Sequence, residues 1–413
     1  MTAPEWGRFT ADGGAQVERD VRAIMEEVRT TVAKAVDADR FDALVLLGGY
    51  GRGEGGVEIR DGRERPHNNF DLLLVTRRGG PREREDIRRL VLDGLKPIAE
   101  AHGLAIDLGV VSRDALRFSA PTIMWYDVRF GHKTLLGDPG VIRSLLRHDL
   151  SDVPHEEFLR LLVNRGTLLL INELLLSQLP EELCRRTIVK HAMKAIIGYG
   201  DAALHMRGRY HWSYRTRQIR MHALLDFDPQ LRRLYLQALD FRFRTRYHAF
   251  DSCDLRAWHD EIIPILRRAH LAFERWRLHE PDLRWDDYPR ATFRALGGWP
   301  CSLKSAVRRL RQAATSEACP VAAERRVRLG YRLGGLRARL DAFFPLIEYG
   351  VGDATTRSFA RKALGARTEE RADLIRAYLR TWGKTGDPNF SAVAQALRLD
   401  LDPAATTALR TSP

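Results

Sequence analysis

The sequence predicts an α+β protein, a small N-terminal mixed sheet with helices followed by a mostly α-helical body. Three observations lead there. Short apolar runs ending on glycines or turn residues are confined to roughly the first 140 residues. Amphipathic stretches alternate with those runs, and beyond about residue 150 only long helical periodicities remain.

Residues 16–36 set Val17, Val21, Ile24, Met25, Val28, Val32 and Val36 mostly three or four apart, the spacing of a helix with one apolar face. Residues 43–47 form a short apolar strand that runs into the glycines of LLGGYGRGEGG. A second apolar strand, 70–75, stops at RRGGP; a helix over 82–102 ends at Gly103; LAIDLGVV, 104–111, is a third strand. KTLLGDPG then reads as a last strand closing on a turn. The body carries helical patterns over 155–176, 181–207, 229–247 and 255–277, then 302–314, 322–344 and 369–382. Gly297, Gly298 and Pro300 mark a boundary between the two groups, so the expected domains are 1–150, 151–295 and 296–413.

Composition narrows the setting. The chain has 413 residues, 44 % of them hydrophobic, enough for a proper core. The net charge of +13 rests on arginine, since only eight lysines occur. The arginines alternate with acids, as in EREDIRRL and RTEERADLIRAYLR, a pattern of solvated helix faces as much as of a nucleic-acid footprint. No apolar stretch approaches the roughly 18–20 residues of a membrane span. MTAPEWGRFTADGG lacks the basic flank and apolar centre of a signal peptide. Cys184, Cys253, Cys301 and Cys319 are scattered, with no CxxC pair. A reduced cytoplasmic protein is the expectation, without a membrane partner.

The glycine run poses the functional question. A Gly-rich turn from strand to helix exposes backbone N–H groups that suit phosphate. GxxxxGK[ST] is absent, and although Gly51, Gly53 and Gly56 match G-x-G-x-x-G, the strand stops too early and no βαβ return follows. NNFDLLLV, 68–75, adds a second signal, because on a strand Asn69 and Asp71 share one face while Phe70 and Leu72 point to the core. Asp107 interrupts an otherwise apolar strand, where an ionised carboxylate is costly unless paired or metal-bound. Two readings stand: Asp107 pairs with one of the many arginines, or it meets Asp71 across adjacent strands to hold a divalent ion.

Together, LVLLGG (44–49), Arg52-Gly53-Glu54, Asn69-Phe70-Asp71 followed by LLLV, and Asp107 resemble the nucleotidyltransferase superfamily of DNA polymerase beta and the aminoglycoside nucleotidyltransferases, over roughly residues 40–138. That resemblance implies a short mixed sheet bearing a site for a nucleoside triphosphate and Mg²⁺, with two metals expected. It implies that Gly48 and Gly49 admit the β- and γ-phosphates, and that Arg52 neutralises phosphate charge or pairs with Glu54 or Asp71. Asp71 would be a metal ligand; Asp107 would be a ligand and possible general base. Two departures matter. GVEIRDGRERPHNN lengthens the gap to the acidic strand and reads as an inserted hairpin turning at Asp61-Gly62. Asn69 stands where the family has the first acid of Asp-x-Asp, keeping an oxygen ligand but losing a charge. An inactivating change, a natural pseudoenzyme, or a missing acid supplied by Glu54, Glu58 or Asp61 would each account for it.

In the body, Lys190, Lys194 and Asp201 fall on one helix face, either a surface stripe or a stripe turned to triphosphate. The resemblance also leads one to expect a helical domain closing the cleft with a lysine to the phosphates. GRYHWSYRTR, 208–217, with Tyr214, can stack a base, grip an acceptor or simply connect helices. His191, His205 and His211 have no ligand spacing and read as packing or surface residues. The expected reaction moves a nucleoside monophosphate from an NTP to an acceptor hydroxyl, with small molecules ahead of protein side chains and RNA as acceptors. A catalytically silent nucleotide-binding module is the alternative.

Overall fold

A computed structural model of the protein describes residues 6–297 and 316–385, with positions 307, 310, 311, 313, 314, 394, 395, 399 and 401. The fold is α+β, and the chain divides into two compact units: Met1–Glu157 with Gly208–Asp251, and Phe158–Arg207 with Ser252–Pro413.

In the first unit, α1 (Ala15–Ala35) buries Val17, Val21, Ile24, Met25, Val28 and Val32, the expected stripe. A four-stranded sheet has the order β5-β4-β1-β6, from β1 (Phe41–Leu46), β4 (Phe70–Thr76), β5 (Ile106–Ser112) and β6 (Lys133–Gly137). The central strand β1 is buried throughout, and β4 is buried except at Asp71. β1 runs antiparallel to β4 and β6, whereas β4 and β5 are parallel. The crossover between them is α3 (Pro81–His102), started by Pro81 and stopped by Gly103 in the left-handed conformation, φ 61°.

The inserted hairpin is present as β2 (Val57–Arg60) and β3 (Arg63–Pro66). Its two turn residues, Asp61 (φ 51°) and Gly62 (φ 72°), have the positive φ pair that an Asp-Gly hairpin turn requires. A third strand, β7 (Arg244–Thr245), pairs parallel with Val57–Glu58 and ties Gly208–Asp251 to the first unit. The helical pattern read over 229–247 therefore ends early. α10 (Pro229–Phe243) stops because Arg244 turns extended and its neighbour Thr245 pairs with Glu58.

The second unit is helical, with α7 (His155–Gln178) entering it, α8 (Glu181–Met206), α11 (Leu255–Leu278), α12 (Tyr288–Leu296), α13 (Arg325–Tyr349), α14 (Ala354–Leu364) and α15 (Arg371–Thr385). α13 carries a break that the reading over 322–344 lacks: Gly335 has φ 61° and ψ −160°, outside helical space. Gly297 closes α12. Gly298, Pro300 and most of the helix read over 302–314 lie outside the described residues. Among the described residues no helix is long and apolar enough to cross a membrane.

Candidate functional site

The parallel pairing of β4 with β5 sets Asp71 directly opposite Asp107. The Asn69 amide bridges them, donating to Asp71 Oδ1 at 3.1 Å and to Asp107 Oδ2 at 2.5 Å. Both carboxylates thus lie within hydrogen-bond reach of one nitrogen, well inside the ~7 Å over which two carboxylates can share an ion. Asp107 differs from its sequence reading in one respect. β5 is an edge strand that leaves Asp107 exposed, and its hydrogen bond goes to Asn69 rather than to an arginine.

The glycine run opens α2 (Gly48–Arg52), one short turn after β1. Leu47 N–H donates to the Asp71 carbonyl at 2.7 Å, which pins the turn to the acidic strand. Gly48 has φ +62°, and a β-carbon there would stand 2.5 Å from Asp71 Oδ2. Only glycine meets both demands. Tyr50 is buried behind the turn, its hydroxyl donating to the Gly56 carbonyl at 2.8 Å and accepting from His67 N–H at 3.0 Å. Gly48→Ala is expected to cost about 1–2 kcal/mol from the left-handed backbone alone, and more as Asp71 is pushed aside. Urea unfolding measures the loss; a variant as stable as wild type would show that the turn relaxes freely.

Arg52 and Glu54 have partners of their own. Arg52, its side chain 7 % exposed, lies 3.4 Å from Asp127 Oδ2 and 3.9 Å from Glu54 Oε2. Glu54 is buried and caps α9 (Tyr214–Ala223), accepting from Ser213 Oγ at 2.5 Å, Tyr214 N–H at 2.8 Å and Arg215 N–H at 3.2 Å. A carboxylate on a helix N-terminus is a stabilising anchor. Asp127 also accepts from Tyr210 Oη at 3.0 Å and from buried Arg217 at 3.2 Å. Burial pushes the Asp127 carboxyl up, while Arg217 and Arg52 pull it down. Glu54 and Asp127 are the residues that sequence reasoning missed in this role. Through them GRYHWSYRTR is fastened onto the first unit.

The ring of Tyr214 is surrounded by three guanidinium groups, from Arg52 at 4.8 Å, Arg217 at 4.3 Å and Arg242 at 4.2 Å. Arg242 is the third missed residue; it stands in the aromatic–basic alternation FRFRTRY, 241–247, the one signal that could have found it. The candidate substitutes for the absent acid are engaged elsewhere. Glu58 meets Arg60 at 3.1 Å and His67 Nδ1 at 3.2 Å, and Asp61 sits on the hairpin turn.

Lys190, Lys194 and Asp201 lie on α8 in the second unit, the lysines half-buried and Asp201 buried. Burial pushes the Lys190 ammonium below its usual value, and neighbouring Arg186 adds to the effect. His191 meets Asn172 Oδ1 at 2.9 Å, and His205 stacks on Phe158 with ring centroids 3.7 Å apart, both packing roles.

Magnesium takes oxygen ligands, preferably anionic ones. Here an amide nitrogen stands between the two carboxylates and donates to both. Among the described residues no group of three or more His, Cys, Asp or Glu can hold a metal ion. The donor set as it stands does not fit a two-metal centre.

No family model matches the chain, and no curated protein matches it. Among solved structures the chain is similar to spectinomycin adenyltransferase AAD(9) from Enterococcus faecialis, crystallised with ATP and spectinomycin. The identity is 13 % and the TM-score 0.37, over 59 % of this chain and 98 % of that one.

Proposed function

We propose that the chain is built for nucleotidyl transfer and that Asn69 leaves it weak in that reaction. A nucleoside triphosphate lies against Gly48 and Gly49, and an acceptor hydroxyl attacks its α-phosphorus. The new oxygen–phosphorus bond forms as the α–β bridging bond breaks, pyrophosphate leaves, and Asp107 takes the hydroxyl proton. The reading rests on one observation above the others: Asp71 and Asp107 stand in direct register beside Gly48. A small molecule is the acceptor we place first, then a protein side chain, then RNA.

A second reading, a silent nucleotide-binding module, is favoured by the Asn69 amide lying between the carboxylates where a cation would be needed. One experiment separates the two. The protein is incubated with each of the four labelled nucleoside triphosphates and Mg²⁺, with added RNA or a panel of hydroxylated small molecules. Label is then sought in protein, RNA and small products. Slow transfer supports the enzyme; calorimetric nucleotide binding without transfer supports the silent module. Binding of none of the four overturns both. Salt-sensitive RNA binding would move RNA to the front.

A further inference from the structure

Among the described residues, charge around Tyr214 does not balance. Three guanidinium groups, those of Arg52, Arg217 and Arg242, pack on one ring. Asp127 answers both Arg52 and Arg217, and Glu54 lies beside Arg52. Arg242 forms no ion pair among the described residues, and its Nε is buried without a hydrogen-bond partner there. Contact with an aromatic face attracts a cation without adding a negative charge, so the ring holds Arg242 in place without neutralising it. The place matters. A β-carbon on Gly49 would come 3.2 Å from Arg242 Nη2, while one on the preceding Gly48 would strike Asp71. Gly48 thus lies against a carboxylate, and buried Gly49 lies against the Arg242 guanidinium together with the Glu54 carbonyl and Gly55.

We propose that Arg242 is an anion-binding residue beside the glycine turn, taking phosphate oxygens of a polyphosphate chain without a metal ion. The phosphate role expected of Arg52 passes to it, since Arg52 is already matched by Asp127 and Glu54. The inference rests on the nucleotide reading only for the source of the anion. A guanidinium forks onto two phosphate oxygens and keeps its charge at any working pH. It therefore offsets triphosphate charge beside the carboxylates that the Asn69 amide bridges.

The test is calorimetric binding of ATP and of inorganic tripolyphosphate to the full chain, each in EDTA and in Mg²⁺. Both ligands are expected to bind in EDTA, and Arg242→Gln to weaken both by tenfold or more. Arg242→Lys, which keeps the charge but loses the fork, should recover part of the loss. Gly49→Ala, whose methyl would meet Arg242 Nη2 as well as the Glu54 carbonyl, should weaken binding in an otherwise intact Arg242 background, so the inference stays testable if Arg242→Gln fails to fold. Binding that requires Mg²⁺, or ATP affinity unchanged in Arg242→Gln, overturns the inference and leaves the nucleotide reading standing. Tripolyphosphate binding lost in Arg242→Gln, with no nucleotide bound, supports the anion site and overturns the nucleotide reading. Failure of both ligands to bind wild type overturns both.

Discussion

Asn69→Asp is expected to turn a metal-indifferent protein into a metal-dependent one. The wild-type amide donates to Asp71 and Asp107 and so offsets their mutual repulsion. Aspartate removes both hydrogen bonds and adds a third negative charge on the same strand face. Without metal the variant should lose stability through like-charge repulsion among three carboxylates, since water takes over the exposed hydrogen bonds. Mg²⁺ should restore that stability in the variant and leave wild type unchanged, as thermal melts with and without EDTA will show. Transfer should rise by two to three orders of magnitude, if the added charge-stabilising group contributes about 3–4 kcal/mol at the transition state. Asp71→Asn or Asp107→Asn in that background should abolish both gains, because the three groups act as one cluster. A variant whose melting temperature and transfer rate ignore Mg²⁺ would refute the enzyme reading and leave the silent module.

The features legible in the sequence are those written in local periodicity. The valine stripe of α1, the apolar run 43–47 that makes up most of β1 and the Asp61-Gly62 turn each need only their own neighbours to be recognised. The pairing of Asp71 with Asp107 was legible too, since two polar interruptions of apolar strands on either side of a crossover helix invite it. What escaped was non-local. That Asp107 sits on an edge strand depends on which strand lies outermost, and no residue near it says so. Glu54 capping a helix that begins at Tyr214, and β2 pairing with β7, join segments far apart in the chain. GRYHWSYRTR therefore offered an aromatic and basic surface without showing that its rings and guanidinium groups pack mainly on one another. The break at Gly335 is the exception, since Gly334-Gly335 stands in plain view in the sequence.

The largest stability effect is expected at Glu348, far from the glycine turn in sequence and in the helical unit. Its carboxylate is buried at the end of α13, and neither oxygen has a hydrogen-bond partner among the described residues. Burial pushes the carboxyl from its ordinary value near 4.5 up to about 8, with Arg371 opposing and Glu173 assisting. Arg371 gives its hydrogen bonds to the Ile347 and Glu348 backbone carbonyls and lies 3.2 Å from Glu173, so it relieves Glu348 only in part. The folded protein then holds a proton that the unfolded chain releases above about pH 4.5. Stability from this group is complete below that pH and falls by about 1.4 kcal/mol per unit until the folded value near 8 is passed. Burial holds the His191 and His270 imidazoles down, at about 3 and about 4. They act in the opposite sense, their stability present above the unfolded value near 6.5 and lost as pH falls. Wild type should thus be most stable near pH 6–7. Glu348→Gln removes the alkaline limb and leaves the acid one, while its buried amide adds a cost that does not change with pH. Urea unfolding at pH 5, 6.5 and 8, followed by tryptophan fluorescence with Trp285 in ring contact with Tyr349 beside the site, measures the difference. The variant should gain on wild type by roughly 3–4 kcal/mol between pH 5 and pH 8. A difference that stays constant across that range would mean that Glu348 exchanges no proton on folding.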